Sequence, residues 1–458
     1  MAYLFLGIFV CMIGYFVYFQ TMVSGDVITS PYNKRQDTFA DRVVRGDILT
    51  KDGTVIATTK VAEDGTETRV YPYDDLFAHV AGYASQGKTG IELLANYQLL
   101  TSHAYFLERF VNEVQEEKNM GDQVITTLDF DLQKTAYDAL GGYDGTVIAI
   151  EPSTGKILAM VSKPDYDANE IASNWKNISQ SGGSVLLNRA TQGLYPPGST
   201  FKILTLLEYS REGNDLENWT YECTGSYTKD GVTINCYHGK SHGTVDLKTA
   251  FAKSCNGAFA SIGAELDNEA FMRTCNQLLF HSELPVPLDF KQSSVNLNKD
   301  SDTGTILQTA IGQATTEVTP MHMALITAAI ANGGNLMNPY LIDSIENYTG
   351  DRVRKYMPSS CDKLMSVEEA EILKEYMTET VLSGTAAGLQ SDRYTAAGKT
   401  GTAEYSNDKS KSHAWFVGFS NVDDPDLVVC VLVEKSGAGS DYAVPIAKKI
   451  FDAYYVNN

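Results

Sequence analysis

One stretch, Tyr195-Pro-Pro-Gly-Ser-Thr-Phe-Lys202, constrains this 458-residue chain more than any other. Pro196, Pro197 and Gly198 break whatever precedes them, and Ile203 to Tyr209 has helical periodicity. The pattern predicts a helix with Ser199 at its N-terminus as a favoured cap, and Lys202 one turn further on the same face. A serine hydroxyl is a poor nucleophile until a base takes its proton. A lysine is such a base when burial or a nearby cation lowers its pKa. The helix N-terminus also favours negative charge developing on a substrate oxygen. Taken alone, Ser-x-x-Lys reads better as a cap followed by a solvated lysine.

Two later stretches change that balance. Ser254-Cys255-Asn256 is a Ser-x-Asn, and Lys399-Thr400-Gly401 is a Lys-Thr-Gly in the context Ala-Ala-Gly-Lys-Thr-Gly-Thr-Ala-Glu404. The three motifs in this order are the signature of serine β-lactamases and penicillin-binding proteins. On these residues the chain resembles a class B penicillin-binding protein, a peptidoglycan D,D-transpeptidase, and is most similar to the shorter Gram-positive type. Arg45-Gly-Asp-Ile48, Arg69-Val-Tyr-Pro-Tyr73, Gly121 to Asp129, Gly312-Gln313 and Thr319-Pro320 extend the resemblance. A second Lys-Thr-Gly, Lys88-Thr89-Gly90, precedes the serine in a different context and is read as structural.

The resemblance implies an α+β chain. A serine β-lactamase/transpeptidase-like domain, an antiparallel sheet covered by helices, would occupy 121–458. A small N-terminal pedestal domain would occupy 24–120, and one membrane helix 1–23. It implies that Ser199 attacks the penultimate D-Ala carbonyl of a stem peptide ending D-Ala-D-Ala while Lys202 takes its proton. Ser254 passes a proton to the leaving amine, and Asn256 holds the donor amide. Lys399, Thr400 and Thr402 bind the terminal carboxylate, and Gly401 lets the strand edge come close. The oxyanion hole is expected from the N–H groups of Ser199 and Thr402. Catalysis needs no cofactor on this reading. The implied partners are peptidoglycan stem peptides, β-lactams as inhibitors, the membrane and a membrane-embedded glycosyltransferase; the implied roles lie in cell shape or division.

The charge and cysteine content bear on other classes. The formal net charge is −21, which argues against nucleic acid as a partner, because phosphate binding needs a positive surface. Residues Met1 to Val23 carry no charged side chain and are long enough to span a bilayer as an uncleaved anchor. No Lys or Arg precedes this segment, while Lys34, Arg35, Arg42 and Arg45 follow it. Positive-inside logic would keep the bulk of the chain in the cytoplasm. The resemblance places it outside, single-pass, with the catalytic domain on the extracellular side; a start further upstream with basic residues would reconcile the two.

Seven cysteines at uneven spacing do not form a disulfide framework. Cys223, Cys236, His242 and Cys255 have the composition of a closed structural zinc set, with His238 as an alternative ligand. A Cys223–Cys236 disulfide and simple burial of Cys255 are the competing readings. Within enzymes the rivals are a serine β-lactamase and a D,D-carboxypeptidase. No Glu-x-x-x-Asn element lies between Ser254 and Lys399 to activate a deacylating water. A membrane-bound β-lactam sensor would need further membrane helices. Periodicity also predicts helices over Tyr97–Glu117, Leu132–Leu140, Ser366–Leu382 and Val444–Tyr455, and strands over 145–150, 156–161, 395–404, 412–419 and 427–434.

Overall fold

The computed structural model describes residues 2–20, 39–180, 182, 184–404 and 412–457. The chain divides into two compact units. The smaller comprises residues 1–126 with two later segments, 167–175 and 342–356; the larger holds the remainder. The break after Thr126, and the return of 342–356, differ from the single boundary at 121 that the sequence suggests.

In the smaller unit six strands form one sheet, in the order Arg352–Lys355, Ile342–Glu346, Gln123–Thr126, Ile48–Leu49, Val55–Val61 and Glu67–Val70. The pairing of 48–49 with 123–126 is parallel; the others are antiparallel. The Asp52-Gly53 turn forms as expected, with Gly53 at φ 80°. Arg45, the first residue of the Arg-Gly-Asp-Ile stretch, is buried. Its Nε and Nη2 atoms lie 2.6 Å from Glu92 Oε2, and its Nη1 donates to Asn96 Oδ1 at 2.6 Å. Arg69 Nε approaches the other Glu92 oxygen at 2.7 Å, and the Tyr71 hydroxyl donates to it at 3.2 Å. Burial alone would raise the pKa of Glu92, but the two guanidiniums hold it below the usual carboxylate value. Thr89 and Gly90 merely start the helix Gly90–Leu94, in line with a structural Lys88-Thr89-Gly90.

One expectation needs correction. The helix over 97–117 is broken into Asn96–Leu99 and Phe106–Gln115. Asp122 N donates to Thr101 O at 2.8 Å and Asp122 Oδ1 accepts from His103 N at 2.9 Å, so this backbone bonds sideways and the helix stops. At the N-terminal end, Ala2–Tyr18 is helical over 17 residues. Among the described residues no helix is long and apolar enough to cross a membrane. Met1 and residues 21–23 of the expected anchor lie outside the described residues.

The larger unit is built on a five-stranded antiparallel sheet in the order Ala396–Ala403, His413–Ser420, Leu427–Val433, Gly145–Glu151 and Lys156–Lys163. All five strands begin and end within two residues of the predicted limits. The central strand, Leu-Val-Val-Cys-Val-Leu-Val, is buried at every position, as expected for β-branched residues covered on both faces. Leu132, Leu140, Val147, Phe416, Val431, Ile450 and Phe451 share one apolar core that joins the sheet to the helices Phe130–Leu140 and Gly439–Asn457. The helix Pro320–Ala331 is buried along its whole length and packs on the same sheet. Val367–Leu382 starts at Ser366 with a reciprocal capping box to Glu369. This α+β arrangement holds the edge strand 396–403 beside the turn that carries Ser199.

Candidate active site

Ser199 lies in a 3-10 turn, Gly198–Phe201, that runs into the helix Lys202–Arg211. It is not a cap. The turn begins after Pro197, and no side chain caps it. The turn is fastened from several sides instead. Gly198 N donates to Gly312 O at 2.9 Å, Tyr195 pairs with Val318, and Trp415 Nε1 donates to Pro196 O at 3.0 Å. Glu434 accepts from both Arg189 and the Tyr195 hydroxyl at 2.7 Å. Gly198 has φ 53°, and a Cβ there would stand 2.9 Å from Thr402 O. A Cβ on Gly401 would stand 2.9 Å from Pro197 O. Glycine at both positions lets strand and turn come close.

A cleft of about 820 Å³ opens here, lined by Ser199, Ser254, Asn256, Thr400 and Thr402 among others. Lys202 and Lys399 lie beneath its surface, each 0 % exposed. Lys202 Nζ donates to Asn256 Oδ1 at 2.7 Å and to Ser254 O at 2.8 Å, and lies 3.3 Å from Ser254 Oγ. Lys399 Nζ donates to the same Ser254 Oγ and to Thr400 O, both at 3.0 Å. One hydroxyl therefore bridges two buried amines. No carboxylate pairs with either amine among the described residues. Burial lowers Lys202 to about 8. Burial and the charge of Lys202 push Lys399 well below the usual lysine value. The two cannot both hold a proton comfortably at neutral pH. Among the described residues Lys202 is not hydrogen-bonded to Ser199; such contacts often tighten only when substrate is bound.

Ser254 adopts φ 57°, a left-handed conformation that costs a non-glycine residue free energy. The following residue, Cys255, caps the helix Asn256–Gly263 and accepts from Ala258 N at 3.5 Å. The Cys255 thiol belongs to a cluster with Cys223, Cys236 and His242, whose donor atoms all lie within 4.8 Å of one another. Cys223 and Cys236 sulfurs are 3.6 Å apart, Cys236 and Cys255 sulfurs 3.8 Å, and His242 Nδ1 is 3.3 Å from Cys223 Sγ. A disulfide needs about 2.05 Å, and the three cysteines are free, so the pairing of Cys223 with Cys236 is not formed. His238 is exposed, edge-on to the ring of Tyr237 and outside the cluster.

The structure thus brings together all eight candidate positions that the motifs single out. The motifs missed Thr385, whose hydroxyl lies 2.5 Å from that of Thr400. They also missed Trp415 and Gly312. Thr385 follows the helix 367–382 in a Ser-Gly-Thr turn, and nothing local distinguishes it from any other helix exit.

Comparison with known proteins agrees with this geometry. The penicillin-binding protein transpeptidase domain family matches residues 145–452, and the penicillin-binding protein A dimerisation domain family matches 45–124. The peptidoglycan D,D-transpeptidase PbpA of Mycolicibacterium smegmatis is 32 % identical over 434 residues, covering 87 % of each chain. Its counterpart from Mycobacterium tuberculosis is 33 % identical, covering 88 % of each. A solved structure of M. tuberculosis penicillin-binding protein A as a ceftriaxone acyl-enzyme superposes with a TM-score of 0.82 at 30 % identity, covering 91 % of this chain and 99 % of that one. The chain belongs to the penicillin-binding protein transpeptidase family, and within it to class B.

Proposed function

We propose that this chain is a peptidoglycan D,D-transpeptidase that cross-links stem peptides through an acyl-enzyme on Ser199 and is acylated by penicillin and other β-lactams. The bridging of two buried lysines by Ser254 Oγ, beside Ser199, is the observation that carries this reading. The terminal carboxylate of a D-Ala-D-Ala donor settles against Lys399, Thr400 and Thr402. Its charge draws the shared proton to Lys399 and leaves Lys202 neutral. Lys202 then takes the Ser199 proton as Oγ bonds to the penultimate carbonyl carbon. The N–H groups of Ser199 and Thr402 hold the oxyanion; one such donor contributes about 3 kcal/mol to the transition state. Asn256 holds the donor amide. As the C–N bond breaks, the proton passes from Lys202 through Ser254 to the departing D-Ala amine. An acceptor amine then attacks the ester, and its proton returns to Ser199. Thr385 orients the Thr400 hydroxyl.

Fluorescent penicillin tests the nucleophile. Wild type should form an adduct stable for hours, while Ser199→Ala forms none. An adduct on Ser199→Ala would sink the assignment, and one that vanished within seconds would mean a β-lactamase.

The Cys223, Cys236, His242 and Cys255 cluster fits a structural zinc ion. Tetrahedral zinc with Zn–S of about 2.3 Å sets its sulfurs about 3.8 Å apart, close to the spacing seen. The amides of Gly257 and Ala258 donate to the Cys236 and Cys255 sulfurs, as suits thiolates. Bound there, the ion would pin the segment carrying Ser254 and Asn256 without touching substrate. Purified protein should carry one zinc per chain, and a chelator should release it with three newly reactive thiols and a lower melting temperature. Zinc-free protein with all three thiols reactive would exclude the site.

We read the uncharged segment 1–23 as a membrane anchor, with the catalytic unit on the extracellular side where peptidoglycan lies. The resemblance adds, as part of this proposal, a membrane-embedded glycosyltransferase that supplies nascent strands, and service in cell shape or division.

A further inference from the structure

The cleft is cationic in a chain of net charge −21. Among the described residues Glu404 is the one acidic side chain lining it, against the exposed Lys240 and Lys253 at the surface and the proton shared by the two buried lysines beneath. Neither Lys240 nor Lys253 places its Nζ in a hydrogen bond or ion pair among the described residues; Lys253 is in electrostatic range of Asp246 without pairing to it. Both ride on segments held by the cysteine cluster. Lys240 lies on the loop between Cys236 and His242, and Lys253 stands two residues before Cys255. Both lysines line the cleft.

We propose that Lys240 and Lys253 select donor stem peptides carrying a second, mid-chain carboxylate. This rests on the transpeptidase reading. That reading already assigns the terminal carboxylate to Lys399, Thr400 and Thr402, so these two lysines answer to a different anion. A stem peptide whose second residue is D-glutamate joined through its γ-carboxyl keeps a free α-carboxylate. The γ linkage adds the glutamate side-chain carbons to the three residues that separate this group from the terminal one, so the two carboxylates stand about 15 Å apart along an extended chain, and Thr400, Thr402 and the two lysines line the same cleft. Amidation removes the charge and keeps the shape. Exposed ion pairs are weak, so the two lysines together should change affinity only about fivefold.

The test uses two pentapeptide donors identical except for a free or amidated carboxylate at residue 2. D-Ala release is followed with wild type and with the double variant Lys240→Gln, Lys253→Gln. Wild type should show a KM about fivefold lower for the free acid, with kcat alike for both. The difference should shrink in high salt and vanish in the double variant. Equal KM values in wild type, a preference for the amide, or a preference that survives in the double variant would each overturn the proposal. Penicillin labelling of wild type separates the two levels. Labelling without carboxylate preference fails this inference alone. No labelling and no D-Ala release would fail the transpeptidase reading as well.

Discussion

Lys202→Met is expected to slow penicillin acylation by a factor of about 10² to 10⁴, the usual contribution of a positioned general base. Methionine fills nearly the same volume and removes an amine that is costly to bury. It leaves Asn256 Oδ1 and Ser254 O without one donor each. Those effects oppose one another, so the fold should survive and the loss should be chemical. The wild-type rate should also depend on pH. Lys202 must be neutral to accept the Ser199 proton, and burial lowers it to about 8. The second-order acylation rate should therefore climb about tenfold per unit below that pH and flatten above it. In Lys202→Met the residual rate should lose this climb. Stopped-flow acylation from pH 5.5 to 9.5 measures both. A variant within threefold of wild type at pH 8 would move the base elsewhere.

The second large effect lies far along the chain from the chemistry. Glu92→Ala strands two guanidiniums, Arg45 and Arg69, that share one buried carboxylate. Removing one partner of a buried pair costs about 3–5 kcal/mol. The smaller unit should lose protection from hydrogen exchange over 45–100 and melt several degrees earlier, while penicillin acylation of Ser199 persists at low temperature. The same cluster makes the smaller unit sensitive to acid. Because Glu92 is held below its unfolded value, its contribution is present above the ordinary glutamate pKa and is lost as pH falls through the depressed one. A melting profile indistinguishable from wild type would show that the cluster contributes nothing net.

Some of this was legible in the chain. Ser199, Lys202, Ser254, Asn256 and the Lys399–Thr402 strand lie in three short motifs, each readable within a few residues. The strands 145–151, 413–420 and 427–433 are dense in buried β-formers, and their turns are marked by Gly and Asp, whereas the Ala- and Gly-rich strand 396–403 is marked by its Lys-Thr-Gly motif. What escaped depends on contacts between distant positions. Trp415 matters because its indole reaches Pro196. Gly312 matters because a Cβ there would stand 2.1 Å from Gly198 O. Ser199 was misread as a cap because local preference favours Ser there, whereas the turn is set by tertiary bonds to Gly312 and Val318. The segment 97–117 kept a helical pattern that the backbone of Asp122 interrupts.

The sheet of the smaller unit carries a consequence for biosynthesis. Its strand 123–126 pairs with Ile342–Glu346, so Thr126 must wait for Ile342 before the sheet can close. At roughly 5–20 residues per second, synthesis leaves that edge open for about 10–40 s. An unpaired edge is a template for foreign strands. A nascent chain of this protein should therefore depend on a holding chaperone until about residue 356 has been made, and a fragment ending near 126 should aggregate rather than fold.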